Sequence, residues 1–166
     1  MSMEYAVVMK NATLGMTVAT KVYQVFVNPA AAPKPNLNFI RAWMGQNSTA
    51  TSAQLACVIE TISTAFGTYT GNTPAPLKLA SPASNIVSGI AGAAGTAGTN
   101  ASVAATGTIT NIITDDFNNL NGYLWVASLR EAIVMPAGLT SGIGLGLITV
   151  PSATTLWTAG MIYTEE

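Results

Sequence analysis

The side chains of this chain that could carry chemistry are few. They are one cysteine, Cys57; one acidic-polar run, Asp115-Asp116-Phe117-Asn118-Asn119-Leu120-Asn121-Gly122; and scattered carboxylates such as Glu60 and Glu131. Histidine is absent, which removes the commonest general base and the commonest metal ligand together. Ser-His-Asp and Cys-His arrangements are therefore excluded, and no S-x-x-K stands in for them. A calcium loop would need ligands at 117, 119 and 121 ahead of Gly122 and a glutamate at 128. Phe117 and Ser128 occupy two of those places, so the run reads as a turn rich in side-chain-to-backbone hydrogen bonds. Glycoside hydrolysis needs two carboxylates at a set separation. Asp115, Asp116, Glu131 or Glu60 could supply them, and no carbohydrate-type array of aromatics accompanies these residues. No catalytic residue, cofactor site or metal site is expected, and the chain reads as a non-enzyme.

The elements that must position these groups are strands. Residues 21–27 alternate in part and are rich in β-branched and aromatic types. Residues 29–35, dense in Pro and Ala, favour an extended loop. The next run sets Leu37, Phe39, Arg41 and Trp43 on one side of a pleat. Residues 54–65 form a long strand with Leu55, Cys57 and Ile59 on one face and Ala56, Val58, Glu60 and Ile62 on the other. Cys57 is accordingly a small buried hydrophobe. Further strands are expected at 107–114, 123–126, 132–135, 142–150 and 156–163, and Tyr5-Ala6-Val7-Val8-Met9 is strand-like too. Asn121-Gly122 is the strongest hairpin signal, because both central residues of a type I′ turn take positive φ. The tract 89–98 carries Gly at every third position without the lysine of a phosphate cradle, which favours close backbone packing or a surface loop. An Ala-rich stretch over 84–97 could hold a short helix. Eight or more short strands separated by turn signals define an all-β, antiparallel two-sheet β-sandwich, jelly-roll-like, in a single domain spanning 1–166. Residues 1–35 supply either a strand of that sandwich or an N-terminal arm.

Charge is the other signal. Only 8% of the residues are charged and the formal net charge is −1, against roughly 25% charged in ordinary soluble domains. Residues 79–114 and 132–164 contain no charged side chain. A surface so weakly charged protects poorly against association, so an oligomer or lattice component is expected. Six Lys and Arg without a basic run are too few for nucleic-acid binding. The uncharged stretch 86–109 is built from Gly, Ala, Ser, Thr and Asn and lacks the apolar bulk of a membrane span. No secretory signal is visible, which points to a cytoplasmic product and makes chance matches of three Asn-x-Ser/Thr triplets. Lys21, Arg41 and Arg130 fall within expected strands. Arg41 either pairs with Glu60 on a neighbouring strand, stacks on an aromatic across a subunit interface, or meets solvent. Trp43, Trp125 and Trp157 are core or interface anchors. Together with Arg41 they form the candidate interface set.

Several segments between residue 39 and the end resemble small phage virion proteins of jelly-roll type, the group that includes head decoration (cement) proteins. They are Phe39-Ile40-Arg41-Ala42-Trp43-Met44-Gly45-Gln46 with Ala50-Thr51-Ser52-Ala53-Gln54, then Leu120-Asn121-Gly122-Tyr123-Leu124-Trp125. Glu131-Ala132-Ile133-Val134-Met135-Pro136-Ala137-Gly138 and the last strand, closing in Thr164-Glu165-Glu166, complete the set. The resemblance implies a non-enzymatic homotrimer, made in a host bacterial cytoplasm and carried in the virion. It would bridge neighbouring major capsid subunits. A tail, neck or fibre component, or a carbohydrate-binding jelly roll, is the alternative class.

Overall fold

The computed structural model describes residues 3–14, 22–28, 36–47, 51–63, 69–88, 96–102, 107–128, 130–135, 141–148, 151 and 156–166. These residues are built from thirteen strands: β1 (Met3–Thr13), β2 (Val22–Asn28), β3 (Leu37–Gln46), β4 (Gln54–Ser63), β5 (Thr70–Gly71), β6 (Ala75–Pro76), β7 (Val87–Ser88), β8 (Thr96–Thr99), β9 (Thr108–Asn118), β10 (Tyr123–Val126), β11 (Ile133–Met135), β12 (Ser141–Leu147) and β13 (Leu156–Glu165). Lys21, the 29–35 loop and positions 89–95 of the Gly/Ala tract lie outside the described residues.

The long strands pair first with last, second with next to last, and inward: β1 with β13, β2 with β12, β3 with β10 and β11, β4 with β9, all antiparallel. Rolling that ladder up gives one sheet ordered β10-β3-β13-β1-β6 and a second ordered β5-β8-β2-β12-β4-β9. The result is the expected sandwich with jelly-roll connectivity. Among the described residues its single departure from antiparallel pairing is the two-residue β7–β8 contact. Over the described residues, the segment 1–35 contributes β1 and β2, one to each sheet. No helix occurs in the described part of 84–97, which holds β7 and β8.

The interior is apolar because inward positions of both sheets carry large side chains. Trp157, Tyr5, Tyr163, Phe39, Leu37, Met44 and Ile59 are essentially inaccessible. Phe117 meets Trp157 edge-on, with ring centroids 6.5 Å apart. A second packed layer forms on the far side of the β12 sheet. There β12 carries glycine at 142, 144 and 146, opposite Ile62, Glu60 and Val58 of β4. The rings of Phe26 and Tyr23 lie directly over Gly142 and Gly144, and Tyr69 stacks on Phe26 at 4.8 Å. Glu60, fully buried in this layer, accepts the Tyr23 hydroxyl.

The excursion between β4 and β9 is fastened across one end of the sandwich. The Glu165 carboxylate accepts from Ser84 Oγ, Asn85 N at 3.1 Å and Asn85 Nδ2 at 2.7 Å. Tyr5 donates to the Pro82 carbonyl, and Asn72 Nδ2 donates to Val8 O. Buried charge is costly unless hydrogen-bonded, and Glu165 meets that condition with several donors.

Cys57 lies inside, as its alternation predicts, with its thiol donating to Asp115 O. Burial first, then the Asp115 carboxylate, pushes its pKa from 9.0 up to about 12. Burial likewise raises the phenols of Tyr23, Tyr69, Tyr123 and Tyr163 above their ordinary value. All these groups hold their protons more tightly folded than unfolded. Unfolding therefore releases protons at high pH, and the stability these groups contribute is complete below about pH 9 and falls through the Cys57 window of 9 to 12. Each group contributes up to about 1.4 kcal/mol per pH unit in its window. Thermal midpoints should be level from about pH 7 to 9 and drop steeply towards pH 11, with phenolate absorbance rising only as the fold is lost. Free titration of these tyrosines near pH 10 in folded protein would contradict this packing.

Candidate interaction face

The outer face of the β3 sheet is built by a register break. Opposite Ile162 and Tyr163 of β13 stand Arg41 and Phe39, so Ile40 is an extra residue and β3 bulges there. A bulge advances the side-chain phase by one. Leu37 and Phe39 point inward before it, and Ala42 and Met44 point inward after it. Arg41 and Trp43 are thereby turned outward, against the expectation that they share a side with Phe39. Of the three alternatives for Arg41, the pair with Glu60 does not form. Arg41 is exposed on one sheet, while Glu60 is buried within the other beside Tyr23.

Cross-strand register then maps the face. One row runs Leu124, Trp43, Gly160, Val8; the next runs Val126, Arg41, Ile162, Ala6; a third runs Val134, Asn38, Thr164, Glu4. The Trp43 ring covers Gly160, where an added Cβ would lie 2.7 Å from Trp43 Cε2 and closer still to its neighbours. Leu124, Val134 and Val126 are 66%, 57% and 52% exposed. The β10 and β11 ends of these rows are therefore apolar and open to solvent, while Trp43 and Ile162 are partly buried and Gly160, Ala6 and Thr164 are buried.

A groove of about 680 Å³ crosses the lower two rows. Ile162 and Val134 line it, Arg41 and Arg130 mark its β3 side, Glu4 its β1 side, and Glu166 lies just past the end of β13. Arg130 stands in a turn between β10 and β11, outside any strand, contrary to expectation. That turn is held by Ser128 Oγ donating to Glu131 Oε2 at 2.8 Å. Ala127 N bonds Ile40 O before the chain leaves β3, and β11 then rejoins the same strand at Phe39.

The four expected anchors are thus separated. Arg41 and Trp43 lie together on the outer face. Trp125, opposite Ala42, points to the interior side and is only half-buried at the sheet edge. Trp157 is 1% exposed and belongs to the core, leaving no surface for a partner. Leu124, Val126, Val134 and Leu77 were not anticipated. The 123–126 run is apolar at every position, so its alternation cannot be phased without the pairing partner.

The acidic run occupies the end of β9 and the connection after it. Asp116 N donates to Asp115 Oδ1, Leu120 N to Asn118 Oδ1, and both Asn121 N and Gly122 N to Asn118 O. These are the expected turn contacts. The hairpin is not formed, because β9 belongs to one sheet and β10 to the other. Gly122 alone takes positive φ, at 73°, and a Cβ there would sit 3.0 Å from Met44 O. The turn carries the chain across the end of the sandwich instead of reversing it. Among the described residues no three His, Cys, Asp or Glu side chains converge as a metal site, and no helix is long and apolar enough to cross a membrane.

The fold and face define an all-β sandwich of jelly-roll connectivity with one open apolar sheet surface. No protein-family model, curated protein or solved structure matches the chain.

Proposed function

We propose that this protein is a non-enzymatic structural virion component, a decoration protein that assembles as a homotrimer and stabilises a phage head by bridging major capsid subunits. The observation that carries this reading is the open face of Leu124, Trp43, Val126 and Val134 on a rigid sheet. Exposed contiguous apolar surface of this kind marks interaction sites. Three rows over four strands cover on the order of 300–400 Å², about half of the roughly 800 Å² per partner in a stable pairwise complex. One copy alone would bind weakly. A trimer presenting three such faces to a lattice would bind tightly, since engagement of the first face holds the others at high effective concentration. Binding the assembled lattice in preference to loose subunits then stabilises the head by mass action.

Native mass spectrometry and addition to empty heads test the reading together. The expected results are a trimer at micromolar concentration and heads that resist heat and osmotic shock when the protein is bound. A clean monomer, or heads whose resistance is unchanged, would count against it. Retention by a glycan instead would favour the carbohydrate-binding class.

A further inference from the structure

The sequence holds two arginines, Arg41 and Arg130, and both stand on the same side of the groove that crosses the outer face. They arrive there from different places. Arg41 is turned outward by the β3 bulge, and Arg130 is set by the turn between β10 and β11. Both side chains are exposed, and among the described residues neither guanidinium is in an ion pair or a hydrogen bond. Two carboxylates, Glu4 and Glu166, line the other side. Glu4 is two strands from Arg41 and two residues along, about 12 Å at ordinary sheet spacings, too far to pair. The groove therefore holds a positive and a negative side apart without neutralising either.

What lies between them is apolar and shallow. Ile162 forms the floor between Arg41 and Ala6. Val134 of β11 is one wall, and Leu77, whose N–H donates to Glu4 O, is the other. Asn38 Nδ2 donates to Thr164 Oγ1 at 3.3 Å on this floor, which leaves the Asn38 amide oxygen to accept a main-chain N–H. Small-molecule sites cover about 70–90% of their ligand. Val134 and Leu77 are themselves 57% and 47% exposed, so an occupant here keeps one side in water. An extended chain segment suits that arrangement, since every second side chain points away from the surface it lies on.

We infer that the groove docks an extended segment of a partner protein, with an acidic and a basic residue four positions apart and an apolar residue midway. Side chains at i, i+2 and i+4 share one face and span about 13 Å, close to the Arg41–Glu4 separation. The carboxylate goes to the arginine side, where planar guanidinium forks match its geometry. The apolar side chain meets Ile162, and the base meets Glu4 and Glu166. Complementary charge of this kind sets register and rejects wrong partners: a segment acidic at both ends is repelled by Glu4 and Glu166. This occupant follows from the groove alone and does not depend on the proposed function. Peptide capture by a protein that leaves heads unaltered would sustain the one and sink the other.

Titration of isotope-labelled protein with capped Ser-Glu-Ser-Leu-Ser-Lys-Ser, and with the same peptide in reverse order, tests it by nuclear magnetic resonance. At least one order should give saturable shifts centred on the amides of 38–41 and 162–164. Gln in place of the peptide's Glu should weaken binding about fivefold, and Arg41→Gln/Arg130→Gln should do the same to the original peptide, the scale expected of exposed ion pairs. Both arginines are exposed and unpaired, so that variant should keep the wild-type thermal midpoint. No saturable shift up to about 10 mM peptide, or equal affinity for the Gln peptide, would overturn the inference. So would tighter binding of free 4-methylpentanoate than of either peptide, which would assign the groove to a small carboxylate.

Discussion

Trp157→Ala should lower stability by about 3–5 kcal/mol, the range found when a large buried aromatic is truncated. For a chain of this size that corresponds to a drop of roughly 6–20 °C in thermal midpoint. Trp157 is 1% exposed and packs edge-on to Phe117, which in turn lies 6.0 Å from Tyr123. Its removal opens a cavity bounded by both sheets, where relaxation is limited. Trp157→Phe should cost much less, because the indole N–H has no hydrogen-bond partner among the described residues and is given up without loss. Trp43→Ala provides the contrast. That ring lies half-exposed on the outside, so its loss should cost no more than about 1 kcal/mol. Chemical denaturation of the three variants checks the ordering. Equal losses at Trp43 and Trp157 would mean that the two have been assigned to the wrong sides of the sheet.

Gly144→Ala should be comparably damaging although it adds one methyl group. The new Cβ would lie within 2.8 Å of Tyr23 Cγ and closer to Cδ1. Tyr23 is 1% exposed and its hydroxyl donates to the buried Glu60 carboxylate, so the ring has nowhere to move without breaking that bond. Overpacking of this kind costs about 1–3 kcal/mol, and a hydrogen bond to a charged acceptor adds about 1.5–3 kcal/mol. Together they predict a loss of about 2.5–6 kcal/mol by urea denaturation. Gly45→Ala is the matched control on β3. Nothing lies within 4 Å of the Cβ it would add, and its effect should stay within about 0.5 kcal/mol. Equal effects at the two glycines would refute the ring-over-glycine packing.

The strand content was legible where alternation was long and unbroken. The 54–63 run showed both of its faces, and Cys57 and Glu60 fall on the sides its pattern assigned. It failed where one residue shifted the phase. The bulge at Ile40 sends Arg41 and Trp43 to the outside, and nothing local to that segment marks it, because the break is set by pairing with β13. Asn121-Gly122 carried the right turn chemistry but the wrong topology, since a turn sequence does not say whether its two flanks share a sheet. The short strands β5 to β8 rest on contacts with β1 and β2 and have no periodicity of their own to read. Leu124 and Val134 were hidden for a different reason. Each sits in an apolar run, where exposure depends only on which face the neighbouring strand covers.

Low charge is thus distributed unevenly in meaning. Much of the neutral sequence is core or covered sheet, including β12 and β13. Neutral surface that stays open among the described residues includes β10, β11 and the 108–114 part of β9.

The most direct test of the proposed role compares wild type with a Leu124→Lys/Val134→Lys variant in co-sedimentation with empty heads built from the major capsid protein of the same genome. Both side chains are more than half exposed, so thermal midpoint and circular dichroism should be unchanged. Wild type should bind saturably, and the variant should lose at least tenfold in affinity. Undiminished binding by the folded variant, or no binding by wild type, would contradict it.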